Sequence, residues 1–384
     1  MQINVAKRLQ QTEEYYFSKK LREIDELNKS GARVINLGIG SPDLPPHPEV
    51  IQTLHEQASL PNTHGYQNYK GSPVLRKAIA DWYERYYRVS LNPEKEVLPL
   101  IGSKEGIVHI CMTYLQEGDE VLIPNPGYPA YAAAVRLSGA TAVPYTMTEE
   151  NDWLPNLKEL EQTDLSKVRI MWINYPHMPT GSKATAAFFE AVIAFGKKHN
   201  ILICHDNPYS FILNDHPQSI LETEGAKDVA IELNSLSKSS NMAGWRIGML
   251  CAAEERINEI LRFKSNMDSG MFLPLQLAAA KALSLDSTWY TELNTAYQKR
   301  KNKALELLDL LNCSYREDQV GLFIWAKVPE KYTNGYELSD EVLNKARVFI
   351  TPGGIFGDAG NGYIRVSLCA TEAVFEEAIA RIRG

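Results

Sequence analysis

The residues with the clearest chemical potential lie in SLSKSSNMAGWR, where Lys238 follows Ser235 and Ser237 and precedes Arg246 by eight positions. A lysine amine attacks a carbonyl only when deprotonated, which calls for shelter from water and for neighbouring cations or hydrogen-bonding groups. The two hydroxyls and the guanidinium are groups that hold a phosphate dianion, the guanidinium through paired donors. Together they describe an amine beside an anion site, suited to Schiff-base chemistry on a phosphorylated carbonyl compound. Most single lysines are solvated surface residues, so the reading rests on what surrounds this one.

Asp206 closes the apolar run ILICHD, and Tyr209 follows in DNPYS. A carboxylate at the carboxyl end of a buried strand faces a ligand crevice, where it can pair with a protonated ring nitrogen and keep the ring an electron sink. Tyr209 can hydrogen-bond a phenolic oxygen on the same ring, and the competing reading is an Asp that caps a turn before Pro208. Gly102 and Ser103 open a helix directly after VLPLIG. Its free N–H groups and dipole favour an anion, although Gly-Ser at such a junction is also a common N-cap. In NPGYPAY, Tyr128 offers a flat face for stacking, or else a core tyrosine beside a Pro-rich turn.

These residues need a scaffold. From about residue 97 to 253, apolar runs (VLPLIG, DEVLIPN, RIMWINYP, ILICHDN, VAIELNS, RIGMLCA) are interleaved with helix-like stretches such as ATAAFFEAVIAFGKKHN. Near-continuous apolar strands are buried on both faces, and their alternation with helices predicts an α/β fold with a mainly parallel sheet flanked by helices. Beyond residue 273 a long helical region and short alternating elements predict a smaller α+β domain. The division expected is an N-terminal segment over 1–45 packing on the small domain or a partner subunit, a large cofactor-binding domain over 46–282 and a small domain over 283–384.

Composition excludes several classes. With 40 Lys and Arg against 47 Asp and Glu among 384 residues, the net charge of −7 leaves no basic surface for nucleic acid. The five cysteines lack metal-ligand or CxxC spacing and fit reduced core thiols, so neither a disulfide framework nor a metal is expected. No secretion signal and no run of about eighteen apolar residues occurs, which predicts a cytoplasmic protein without a membrane partner. No GxGxxG follows an early strand, so a nicotinamide-binding fold is set aside.

In order and separation, GSKEG, NPGYPAY, NYPHMPTG, DNPYS, SLSKSSNMAGWR and GYIRVSL resemble the fold-type-I, class I/II aminotransferases over essentially the whole chain. LGIGSPDLPP, EVLPLIGSKEGI and DSGMFLPLQ are similar to the branch that acts on LL-diaminopimelate and to its alanine- and aspartate-using relatives. The resemblance implies pyridoxal 5'-phosphate as cofactor and a homodimer with active sites at the subunit boundary. It further implies ping-pong transfer of an amino group from an L-amino acid to a 2-oxo acid such as 2-oxoglutarate, in amino-acid biosynthesis. Alanine or aspartate as donor, or a lyase or synthase on the same fold, are the alternatives.

By the same resemblance, Lys238 carries the cofactor and moves the proton, Asp206 meets the pyridine nitrogen, Tyr209 the phenolic oxygen, and Tyr128 stacks on the ring. Ser103, the Lys104 backbone, Ser235, Ser237 and Arg246 hold the phosphate, joined by Tyr66 from the partner subunit. Arg365, with the Gly40 backbone beside it, takes the substrate carboxylate. The family's asparagine in the HNPTG-like motif is replaced by Met178, which cannot donate a hydrogen bond. Its loss predicts a cofactor–lysine linkage that keeps its proton to higher pH. His177 and Asn174 are the neighbours able to compensate, and Asn174 is counted among the cofactor-binding candidates. For a distal substrate carboxylate, the available cations are Lys104 and Lys264.

Overall fold

A computed structural model of the chain describes residues 3–10, 14 and 16–384. Seven strands form the central sheet: β1 (Val97–Leu100), β2 (Glu120–Asn125), β3 (Thr141–Thr146), β4 (Val168–Asn174), β5 (Leu202–Asp206), β6 (Ala230–Ser235) and β7 (Gly248–Ala252). Their spatial order is β1-β7-β6-β5-β4-β2-β3, with every pairing parallel except the two made by β7. The mainly parallel α/β expectation is met. The reason lies in strand composition. Successive side chains point to opposite faces, so Ile170 and Trp172 of β4 join one apolar cluster while Met171 and Ile173 join the other. Both clusters are covered by helices, which is why the strands read as unbroken apolar runs.

A second sheet has the order β10-β11-β9-β8, all antiparallel, from β8 (Ser314–Tyr315), β9 (Phe323–Lys327), β10 (Thr351–Pro352) and β11 (Tyr363–Ser367). Alternation along β11 is decisive for the site. Ile364 and Val366 enter the apolar core, whereas Arg365 between them faces a cavity.

The N-terminal segment meets this second sheet's neighbourhood. In helix α1 (Tyr16–Lys29), Ile24 packs with Leu343 and Phe349, and Ile35–Asn36 pairs in parallel with Val348–Phe349. The chain then passes Gly40, where an added Cβ would lie 2.2 Å from Phe323 Cζ, so only glycine permits that approach. Asp43 anchors the passage: Arg300, on the helix Ser287–Leu310, reaches its two oxygens at 2.6 and 3.0 Å and the Leu368 carbonyl at 3.2 Å.

Arg300 is buried while Asp43 is partly open to solvent. Replacing Arg300 by Met therefore leaves Asp43 able to hydrate but removes three hydrogen bonds. The expected cost is roughly 1–3 kcal/mol, read from the shift of the urea midpoint. An unshifted midpoint would show that this anchor carries no stability.

Candidate active site

A cavity of about 530 Å³ opens at the carboxyl ends of the central strands, with β9, β11 and α1 on its other side. Register explains the gathering: Asn174 lies opposite Asp206 at the ends of β4 and β5, and Ser235 ends β6. Of the residues singled out from sequence, Gly40, Ser103, Lys104, Tyr128, Asn174, Asp206, Tyr209, Ser235, Ser237, Lys238, Arg246 and Arg365 all line it.

Lys238 sits in the helical turn Leu236–Ser239, and its Nζ donates to the Gly40 carbonyl at 2.7 Å. Burial lowers its pKa, and the nearby Arg365 and Arg246 charges push the same way, against Cys369 and Asp206. The amine is thus biased toward its nucleophilic form. Asp206 is only 4% exposed. Its Oδ2 accepts from the Tyr131 hydroxyl at 2.9 Å, while its Oδ1 is buried with no hydrogen-bond partner among the described residues. Burial pushes the carboxyl up to about 6, opposed by Tyr131, His205 and Lys238. An acceptor buried without a donor fits a ligand N–H.

Tyr128 is the residue before helix α2 (Pro129–Leu137) and meets Tyr131 edge to face at 5.6 Å, and Tyr131 in turn stacks on Trp172 at 5.0 Å. Asn174 holds its neighbours in place: its amide donates to the Asp206 carbonyl at 2.6 Å and its oxygen accepts the Met178 N–H at 2.8 Å. His177 is turned away into a buried contact with Thr180 at 2.8 Å, and burial lowers its pKa to about 3.

An anion cradle is assembled beside Lys238. Helix α3 (Ser103–Tyr114) begins after Gly102, whose φ is +85° and which supplies no capping side chain. A Cβ there would lie 2.1 Å from Arg246 Nη2, so glycine lets the guanidinium lie against the helix start. Arg246 is steered by the Ala243 carbonyl at 2.8 Å and the Ser237 hydroxyl at 3.3 Å. Ser235 accepts the Ser237 N–H at 3.1 Å and fixes that turn. Helix dipole, N–H groups and guanidinium converge on one spot.

On the opposite wall, Arg365 is caged. Its guanidinium carbon lies 3.8, 4.6 and 5.5 Å from the ring centres of Phe323, Phe356 and Phe17. Nη2 donates to the Gly38 carbonyl at 2.7 Å, and Nη1 lies 3.3 Å from Met178 Sδ. Sequence reasoning missed Phe323, Phe356 and Tyr131, and also Phe17, Ser18 and Leu21, which α1 brings to the cavity. Tyr131 alone had a signal, three residues after Tyr128 at the same helix start.

One expectation turns out differently in space, and another concerns the partner subunit's site. Tyr66, expected to serve that partner site, is 95% exposed and stands outside its own subunit's cavity. Lys264 does not face the cavity either, because its amine is buried and clamped between both Asp268 oxygens at 2.6 and 2.7 Å, which removes it as a cation for a distal carboxylate. Glu105, His109 and Asp268 come within 4.8 Å of one another through their donor atoms, the first two spaced one helical turn apart, and the Lys264 ammonium already supplies positive charge there. A second cleft of about 440 Å³, between residues 152–186 and 316–319, has its Arg316 paired with Asp152 and Asp318.

The family model for aminotransferase class I and II matches residues 32–382. Over its full length the chain is 43% identical to an LL-diaminopimelate aminotransferase of Dehalococcoides mccartyi (strain CBDB1), covering 99% of that protein. The chain belongs to the class I and II aminotransferases. An LL-diaminopimelate aminotransferase of Halothermothrix orenii is 40% identical over 381 residues, which is 99% of this chain and 98% of that one. Apo-BacF from Bacillus subtilis superposes with a TM-score of 0.95 at 37% identity, covering 100% of this chain and 98% of that structure. This aminotransferase depends on pyridoxal 5'-phosphate, and the unpartnered Asp206 oxygen, the Gly102–Arg246 cradle and the sheltered Lys238 amine fit that group.

The raised Asp206 pKa has a definite sign in the cofactor-free enzyme. The folded chain holds this proton more tightly than the unfolded one, so stability is lost as pH rises from the ordinary carboxyl range, about 4, through about 6. At neutral pH the cofactor-free Asp206→Asn variant should melt higher than wild type, by roughly 1–3 kcal/mol in stability, while binding pyridoxal phosphate more weakly. Calorimetry of both stripped proteins checks this, and a lower melting temperature for the variant would contradict it.

Proposed function

We propose that this aminotransferase takes LL-diaminopimelate as amino donor and 2-oxoglutarate as acceptor, in ping-pong fashion. The observation that carries the donor is full-length similarity to enzymes of that name, together with a cavity that adds the apolar Phe17 and Leu21 to a carboxylate-binding Arg365. Lys104 also lines the cavity, and we assign it to a distal substrate group.

Each residue has a task set by its surroundings. Bound pyridoxal phosphate supplies an electron sink that stabilises negative charge at the substrate α-carbon. Lys238 is the base that takes the proton from that carbon and the acid that returns it, since burial lowers its pKa and biases the amine toward its deprotonated form. Asp206, held by Tyr131, would pair with the ring nitrogen and Tyr209 with the phenolic oxygen, and Tyr128 would stack on the ring. Arg246, Ser235, Ser237 and the start of α3 take the phosphate. Arg365 clamps the substrate carboxylate as a bidentate pair, its aromatic cage fixing the guanidinium plane beforehand.

The enzyme acts as a homodimer in the cytoplasm, on this reading. Exposed apolar side chains recur at Ile51, Leu60, Tyr66, Tyr69, Met267 and Phe272, and Gly270 lies against the backbone of Gln67 and Asn68, joining these segments. That patch supports a subunit boundary across which Tyr66 reaches the partner's phosphate. The five cysteines are all free, which agrees with a reducing compartment. No described helix is long and apolar enough to cross a membrane. Residues 1–45, 46–282 and 283–384 remain our division of the chain, and the break between the helices ending at Ser284 and starting at Ser287 falls just beyond the second boundary.

Steady-state assay of a panel of amino donors with 2-oxoglutarate tests the substrate: LL-diaminopimelate should show the highest kcat/KM, and no turnover with it would overturn the donor assignment. Met178 makes a separate prediction. Met178→Asn restores a donor near the phenolic oxygen, so the bound cofactor's visible absorbance should titrate at lower pH than in wild type. An equal or higher midpoint in the spectrophotometric titration would refute the effect.

A further inference from the structure

Behind Asp206, on the face of the sheet away from the cavity, lies a buried pair that the reaction as described does not use. His205 precedes Asp206 on β5, so its side chain points to the opposite face. Its Nε2 is 2.9 Å from the Tyr175 carbonyl, which only accepts, so this nitrogen carries hydrogen. Its Nδ1 is 2.8 Å from Glu232 Oε2, on the neighbouring strand in direct register. Both residues are 0% exposed.

Glu232 is saturated with donors. It accepts from Tyr83 at 2.8 Å, from the Ser219 hydroxyl at 3.0 Å and from the Ile220 N–H at 3.0 Å. Three donors aimed at one carboxyl group favour its ionised form, and a carboxylate that accepts in every contact obliges Nδ1 to donate. The ring is then an imidazolium. The other neighbours are the Phe189 ring at 5.1 Å from His205, and Cys251, register partner of Glu232, whose thiol burial keeps protonated.

Asp206 needs such a charge. Burial favours its neutral form, and among the described residues it receives one donor, from Tyr131. The imidazolium is the nearer of the two buried charges, next to Asp206 in the chain, while its counter-ion is one strand further away.

We propose that the His205–Glu232 pair is a positioning device for charge, holding Asp206 ionised toward the cavity and so strengthening its grip on the protonated ring nitrogen of the cofactor. The inference rests on the pairing of Asp206 with that nitrogen. His205 and Glu232 act through Asp206 and line no part of the cavity.

The test compares the affinity of the full-length, cofactor-stripped protein for pyridoxal phosphate and for its 1-deaza analogue, in which C–H replaces the ring nitrogen. Wild type should prefer pyridoxal phosphate, and Asp206→Asn should abolish the preference. If Asp206→Asn retains it, the reading of Asp206 itself is wrong. With that control in place, His205→Gln should cut the preference by about tenfold, the equivalent of one pK unit on Asp206, while leaving affinity for the analogue unchanged. Equal loss for both ligands would mean a structural role only, and an unchanged preference would likewise overturn the proposal. A second measurement needs no variant: in wild-type protein labelled at histidine nitrogens, His205 should show both ring nitrogens protonated, and a neutral tautomer would refute the device.

Discussion

The arrangement of this enzyme depends on keeping a carboxylate charged in a place that disfavours charge. Asp206 ends a strand inside a sheet covered on both faces, where water cannot solvate it, and burial pushes its carboxyl up to about 6. That penalty is tolerated because the strand end faces the same cavity as Lys238, whose amine the same burial drives toward neutrality. Burial at one site thus sets up what we propose to be an acceptor for a cationic ring and a nucleophile for a carbonyl. The Tyr131 hydroxyl and the buried histidine behind the strand supply positive potential from two sides. Stability is sacrificed locally so that binding energy appears when a cationic ligand arrives.

Around that pair, the cavity separates its two proposed anion sites by construction. The phosphate cradle belongs to the central sheet and forms from a glycine that admits Arg246 to a helix start. The proposed carboxylate site belongs to the second sheet, where strand alternation turns Arg365 out of the core and three phenylalanines hold it. α1 carries one of those rings, so the N-terminal segment closes the substrate side of the pocket. Motion between the two walls would change access to the substrate carboxylate without disturbing the cofactor's phosphate.

Much of this was legible in the sequence because it is local. Lys238, Ser235, Ser237 and Arg246 fall within one twelve-residue segment, and Asp206 with Tyr209 within another. The parallel sheet was legible because strands buried on both faces leave unbroken apolar runs. What escaped was assembled across the chain. Phe17, Phe323 and Phe356 read singly as core aromatics, and Phe17 joins the other two because the N-terminal segment is held by the pairing of Ile35–Asn36 with Val348–Phe349. Lys264 read as an available cation because nothing local shows that Asp268, one helical turn on, captures it. His205 and Glu232 sit on strands joined by a long connection over 207–229 that holds only two short 3-10 turns, and only register makes them partners.

The central claim is that Lys238 is the amine that bears the cofactor, selected by its burial and its neighbours. Borohydride reduction of the loaded enzyme fixes the cofactor to whichever amine carries it, and peptide mass mapping then reads the position. The account predicts a single modified peptide containing SLSKSS with the label on Lys238. Label on any other lysine, or cofactor released intact after reduction, would contradict it.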